Sequence, residues 1–184
     1  MRAVPNHAAF LRGINLGRNR RVSGAELRSE FEALGLEDVA TFRTSGNVVF
    51  EAGREPAAEL RNRVEKRLAK SLGYEVVVFL RTADRIREIA AHEPFPASMV
   101  NASKGKLQVM LLSAKPAARA RNEILAWASE DDRLAFSDLE VYWLPSGGTR
   151  DSAVTAKAAE AILGPVTVRT KGTIEQLAAK YFAA

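Results

Sequence analysis

The residues best suited to chemistry in this chain are cationic and amidic, and they fall in two short runs. Phe10-Leu11-Arg12-Gly13-Ile14-Asn15-Leu16-Gly17-Arg18-Asn19-Arg20-Arg21 opens from an apolar stretch into an Arg/Gly/Asn loop, and Thr44-Ser45-Gly46-Asn47 answers it downstream. Guanidinium groups are permanent cations whose forked donors match phosphate and carboxylate oxygens, and glycine lets a backbone come close to a ligand. Arg12 and Arg18 are therefore candidate donors, Gly13 and Gly46 candidate points of close approach, and Asn15, Ser45 and Asn47 candidate polar contacts. Each residue also has a plainer use. Gly13 and Gly17 serve a tight loop, the asparagines bond to their own turns, and Ser45 has no base in view that would make it a nucleophile.

Charge and composition narrow the classes of function. Residues 1–25 carry Arg2, Arg12, Arg18, Arg20 and Arg21 with no acid before Glu26, so this segment alone accounts for the net charge of +5. A local basic patch of this kind attracts phosphates and nucleic acids, and it is equally the signature of a solvated loop. The chain has no cysteine, which excludes disulfides and thiolate catalysis. With only His7 and His92, a histidine-rich metal centre or a Ser-His-Asp arrangement has little to build on, and no metal or cofactor is expected. Both histidines are expected at the surface, Trp127 and Trp143 in the core, and Glu130-Asp131-Asp132 in a solvated loop. No stretch reaches the length of a membrane-spanning apolar run, and Arg2 and Asn6 stand where a signal peptide would begin its apolar core, so a cytoplasmic protein is expected.

The elements that must position these residues follow from periodicity and punctuation. Ala8 to Leu11 reads as a strand, and Ser23-Gly24-Ala25-Glu26 as a capping box opening a helix whose Leu27, Phe31 and Leu34 share a face, stopped by Gly35. Val39 to Arg43 and Val48 to Glu51 flank the Thr44–Asn47 turn as a hairpin; Pro56 opens a helix with Leu60, Val64, Leu68 and Leu72 on one stripe, closed by Gly73, and Glu75 to Leu80 is a β-branched strand. A helix containing Ile86 and Ile89 ends before Pro94, and residues 93–105 read as a linker. The order then repeats: a strand over Lys106–Leu112, a helix from Pro116 through Ile124 and Trp127, a hairpin of Arg133–Phe136 and Glu140–Leu144, a helix capped by Asp151 or Ser152 through Ile162, and a strand over Val166–Arg169. The repetition extends to residues. Arg81–Ala91 aligns with Arg169–Ala179 at an offset of 88, with five of eleven positions identical. The expected fold is α+β: two tandem ferredoxin-like (βαββαβ) modules with antiparallel sheets, each followed by a helix, over residues 1–92 and 106–184, forming one compact unit.

Topology then predicts a meeting of loops. In a βαββαβ module the first two strands are parallel and the third lies antiparallel between them. The hairpin turn must therefore sit at the edge where the first strand ends and the first helix begins, bringing the Arg12–Arg21 loop, the Thr44–Asn47 turn and the amides near Ser23 together. A helix start adds free N–H groups and partial positive charge.

Phe10–Gly17, Glu26-Leu27-Arg28, Leu34-Gly35, Val39-Ala40-Thr41-Phe42 and Ser45-Gly46-Asn47-Val48-Val49-Phe50 together resemble the bacterial family called domain of unknown function 1697, over essentially the whole chain. The resemblance implies ferredoxin-like halves and no established activity. The second half departs from the family pattern. Gly147-Gly148-Thr149-Arg150-Asp151-Ser152-Ala153 keeps the arginine of a Gly-x-x-Arg-Ser-Lys-Leu stretch, which makes Arg150 a further candidate ligand, but loses the Ser-Lys pair. Arg169-Thr170-Lys171-Gly172-Thr173 stands where relatives carry Arg-Asn-Trp-Asn-Thr, with Lys157 or Lys171 as candidate replacement cations.

The expectation is a binding protein for a phosphate-bearing ligand, nucleic acid before free nucleotide because no phosphate-loop or dinucleotide fingerprint is present. The alternatives are an enzyme acting on a small anionic metabolite and a protein-interaction module. The chain is expected to work as a monomer or weak homodimer, away from membranes.

Overall fold

Strand β1 (His7–Arg12) buries Ala8, Ala9, Phe10 and Leu11 in succession, and because a strand alternates its side chains, both faces of the sheet it centres are covered. The computed structural model describes residues 5–15, 21–44, 46–150 and 152–183. After β1 come α1 (Gly24–Glu32), β2 (Glu37–Phe42), β3 (Asn47–Glu51), α2 (Ala57–Leu72), β4 (Val77–Thr82) and α3 (Ala83–Ala91). A short helix α4 (Ala97–Ala102) precedes β5 (Gln108–Leu112), α5 (Ala118–Leu125), β6 (Asp132–Ser137), β7 (Glu140–Pro145), α6 (Ala156–Leu163), β8 (Val166–Thr170) and α7 (Lys171–Tyr181). The strands form two four-stranded antiparallel sheets, ordered β2-β3-β1-β4 and β6-β7-β5-β8. The chain is thus α+β, with two tandem βαββαβ modules.

Local signals account for the elements. In α1, Ser23 Oγ accepts from the Glu26 amide at 3.1 Å while Glu26 Oε2 accepts from the Ser23 amide at 2.7 Å, closing the capping box; Leu27 and Phe31 face inward. In α2, Leu60, Val64 and Leu68 form the buried stripe and Gly73, at φ +76°, turns the chain out. The eleven-residue repeat has a structural cause. Thr82 Oγ1 accepts from the Arg85 amide and Thr170 Oγ1 from the Thr173 amide, each at 3.2 Å, so the last residue of β4 and of β8 caps the helix that follows. Arg81 and Arg169 each donate to the carbonyl of the residue before them, and Ile86 and Ile174 are both fully buried.

By contact the chain divides into two compact units, Met1–Ile89 with Gln176–Ala184, and Ala90–Glu175. The division differs from modules drawn at 1–92 and 106–184 chiefly in the second half of α7, which belongs with the first unit. There Arg87 donates to the Phe182 carbonyl at 3.2 Å, tying α3 to the chain end. In the first unit Ala9, Leu11, Val48, Phe50 and Val78 pack against Leu27, Phe31, Leu60, Val64 and Leu68. In the second, Met110, Leu112, Val141 and Trp143 pack with Ile124, Ala159 and Leu163. Each fully buried side chain of this size contributes about 1.5–3 kcal/mol.

Four sequence expectations are corrected. The 93–105 linker contains α4. Helix α5 ends at Leu125, so Trp127 lies beyond it. The cap of α6 is Thr155, whose Oγ1 accepts from the Ala158 amide at 3.1 Å; Ser152 instead donates to Asp132 at 2.6 Å, and Asp151 lies outside the described residues. Asp132 is not solvated. It is 3% exposed and accepts from both Ser152 Oγ and Trp143 Nε1, the latter at 2.6 Å, because a buried indole N–H needs an acceptor and β6 places this carboxylate beside it.

The histidines are also more enclosed than expected. His92 is half-buried against Tyr142, with ring centroids 4.8 Å apart. His7 is half-buried and stacks on Phe50 at 5.9 Å; burial lowers its pKa below 6.5, with Glu55 opposing the shift. The folded state therefore binds fewer protons than the unfolded chain just below pH 6.5, so stability is full above that value and falls as pH drops through the window beneath it. Between about pH 7.5 and about pH 5, the thermal midpoint of a His7→Gln variant should fall less than that of the wild type; equal losses by calorimetry would assign the acid sensitivity to other groups.

Candidate anion-binding cleft

The first strand ends beside the first hairpin. The Leu11 amide donates to the Gly46 carbonyl at 2.7 Å, so the end of β1 and the β2–β3 turn touch through backbone. Asn15, at φ +54°, then uses its side chain as a joint: Nδ2 donates to the Thr44 carbonyl at 2.7 Å, and Oδ1 accepts from the Val22 amide at 2.9 Å. One amide thus links the loop after β1 to the hairpin turn and to the residue before the cap of α1. The start of α1 lies equally close to β2, since a Cβ on Gly24 would meet Thr41 Oγ1 at 2.7 Å.

These approaches enclose an open cleft of about 1030 Å³ lined by Asn15, Arg21, Val22, Ser23, Gly24, Glu26, Leu27, Thr41, Arg43, Thr44 and Gly46. Among the described residues two cations border it, both exposed. Arg21 has no hydrogen-bond or ion-pair partner among the described residues. Arg43 sits in the left-handed region at φ +58°, lies over the Phe42 ring at 5.5 Å and donates to the neutral Gln176 Oε1 rather than to a carboxylate. The one acid among the described lining residues, Glu26, is held below the usual carboxylate range by hydrogen bonds from the Ser23 backbone and side chain. The capping box satisfies the Ser23 and Glu26 amides and leaves those of Gly24 and Ala25 without an acceptor among the described residues. The border therefore combines guanidinium, amide and hydroxyl donors, a set suited to anionic oxygens.

The structure brings together part of the set expected from sequence. Asn15 and Gly46 line the cleft. Gly13 does not, although at φ +92° it makes the bend that leads to Asn15. Arg12 pairs with Val77 in the sheet and is not among the lining residues. Asn47 is 1% exposed and donates to the Phe42 carbonyl at 2.9 Å; strand alternation puts it beside Phe10 and Phe42, on the sheet face opposite α1. Arg18 and Ser45 lie outside the described residues. Arg150 is exposed in the Ala90–Glu175 unit. Lys171 is committed elsewhere, to the Ala90 carbonyl at 2.9 Å and to Glu175, while Lys157 is exposed on α6. Sequence reasoning missed Thr41 and Arg43, whose signal was their place on β2: Thr41 shares the α1-facing side with Val39, and Arg43 opens the turn.

The family model described as "Protein of unknown function (DUF1697)" matches residues 4–142. The chain belongs to this family. The match stops short of residues 147–153 and 169–173. Among curated proteins none matches. Among solved structures, a conserved bacterial protein from Streptococcus pneumoniae is similar, with 23% identity and a TM-score of 0.73 over 97% of this chain and 100% of that one, a likeness of fold.

Gly46 is the position on which the cleft's geometry is most exposed to change. Its φ is +72°, and a Cβ there would lie 2.4 Å from Ile14 Cδ1 and 3.1 Å from Leu11 Cβ; at Gly35, φ +76°, a Cβ would meet nothing within 4 Å. Gly35→Ala should cost only the left-handed penalty, about 1 kcal/mol, whereas Gly46→Ala adds overpacking of about 1–3 kcal/mol. Urea denaturation resolves the two, and equal losses would contradict the close approach.

Proposed function

We propose that the protein binds a phosphate-bearing ligand in this cleft, with nucleic acid the favoured class. The observation that carries the reading is that Arg21 and Arg43 both border an open cleft and neither has a carboxylate partner among the described residues. A cation without a counter-charge can meet a phosphate with no internal ion pair to break. The cleft's size reaches the upper end of small-molecule sites, yet it is open, so it suits a ligand that runs through it better than a metabolite that must be enclosed. Its one carboxylate, Glu26, is a capping group, which gives an acid–base reaction little support here. We assign the protein to the cytoplasm, where such ligands are met, and take a monomer or weak homodimer as the working form.

Fluorescence anisotropy with short labelled RNA and DNA tests the proposal. Affinity should fall steeply with salt, and Arg21→Ala and Arg43→Ala should each weaken binding about tenfold or more, as expected for loss of a charged hydrogen bond. Each substitution should also reduce the salt slope by about 0.7 for a single strand. No affinity at low salt, or affinity untouched by both substitutions, rejects it.

A further inference from the structure

Beside the cleft lies a second feature that phosphate binding does not use. Phe42, the last residue of edge strand β2, meets Tyr181, the last residue of α7, edge to face, with ring centroids 6.2 Å apart and planes at 86°. Both rings are half-buried, so part of each remains open to solvent. Among the described residues two cations flank them. Arg43 lies over the Phe42 ring at 5.5 Å, and the exposed Lys180 amine stands 5.9 Å from the Phe42 centroid and 5.1 Å from that of Tyr181. Neither cation has a carboxylate partner among the described residues. Arg43 belongs to both features, since it borders the cleft and covers Phe42, so the cationic rim runs on from the cleft to the aromatic pair.

We infer that the nucleic acid taken by this cleft is single-stranded and that one of its bases stacks at the Phe42–Tyr181 pair while its phosphates lie along Arg21, Arg43 and Lys180. The inference rests on the phosphate-binding reading of the cleft and adds the physical state of the ligand. Aromatic rings interleaved with unpaired cations are what single-strand sites use, because every base offers a π-face and the backbone supplies the charge. A duplex keeps its bases stacked on one another and presents none to such a pair. The Gln176 side chain, one helical turn before Lys180, accepts from Arg43 and holds its guanidinium at this junction.

The test compares three labelled ligands on the wild-type protein by anisotropy at low salt: a mixed-sequence single strand, an abasic strand of equal length, and the corresponding duplex. The abasic strand should bind roughly 5- to 150-fold more weakly than the strand with bases, the range seen when one base loses its stacking partner, and the duplex should also bind more weakly. Tyr181→Leu should reduce affinity for the strand with bases by a similar factor and leave the abasic strand unchanged, with Tyr181→Phe restoring binding. If Tyr181→Leu lowers the thermal midpoint enough to unfold the protein, the wild-type comparison decides alone. Equal binding of abasic and normal strands, with Arg43→Ala still weakening both, overturns stacking and leaves the phosphate cleft standing. Failure of all three ligands to bind overturns both.

Discussion

The first unit hinges on a backbone contact, Leu11 amide to Gly46 carbonyl, made possible because Gly46 has no side chain where Ile14 and Leu11 lie. Everything at the cleft follows from that approach. With the turn against the strand end, Thr44 presents its carbonyl within reach of Asn15, and Asn15 in turn accepts from Val22, the residue ahead of the α1 cap. The side chain satisfies backbone groups on two segments and, in doing so, sets the distance between the helix start and the hairpin. Asn15 and Arg43 both sit in left-handed backbone, a conformation that non-glycine residues occupy at a cost and that the surrounding hydrogen bonds sustain.

Much of this was legible in sequence, and the reasons are local. The capping box of α1, the stripe of α2 and the glycine stops at Gly35 and Gly73 depend on neighbours within a few residues, so composition and spacing reveal them. The meeting of the β1 loop with the hairpin turn is non-local, yet strand order alone implies it. What sequence could not separate was the face each polar residue takes at that meeting. Asn47 and Thr41 lie on opposite sides of one sheet, and a shift of one position would exchange them. Asp132 fails for a related reason: Glu130 and Asp131 before it are acidic and exposed, and only the cross-strand placement of Trp143 makes it a buried acceptor.

The contribution of α7 is the least readable part. Gln176, Lys180 and Tyr181 reach Arg43 and Phe42 across more than 130 residues of chain, and nothing in their own segment points to that destination. The helix repeats the pattern of α3, which accounts for its existence and its cap but not for its neighbours. A residue at the edge of the candidate site therefore takes its orientation from the far end of the sequence, beyond the stretch that the family model covers.

Comparison of the two units shows that the same edge carries different chemistry in each. The second unit repeats the central contact, with the Leu112 amide donating to the Leu139 carbonyl at 2.9 Å, so the strand end and hairpin turn meet there as well. Around that contact the chemistry differs. The connection from β5 to α5 is short, residues 113–117, whereas residues 13–23 join β1 to α1. Across the short connection Lys115 pairs with Asp138 at 3.3 Å, an exposed bridge that adds little stability but neutralises the cation at that edge. In the first unit the corresponding link is the neutral Asn15–Thr44 bond, and Arg21 and Arg43 have no carboxylate partner among the described residues. The duplicated frame supplies the same meeting of loops twice. The first edge is linked through an amide and the second through an ion pair, and that difference separates them.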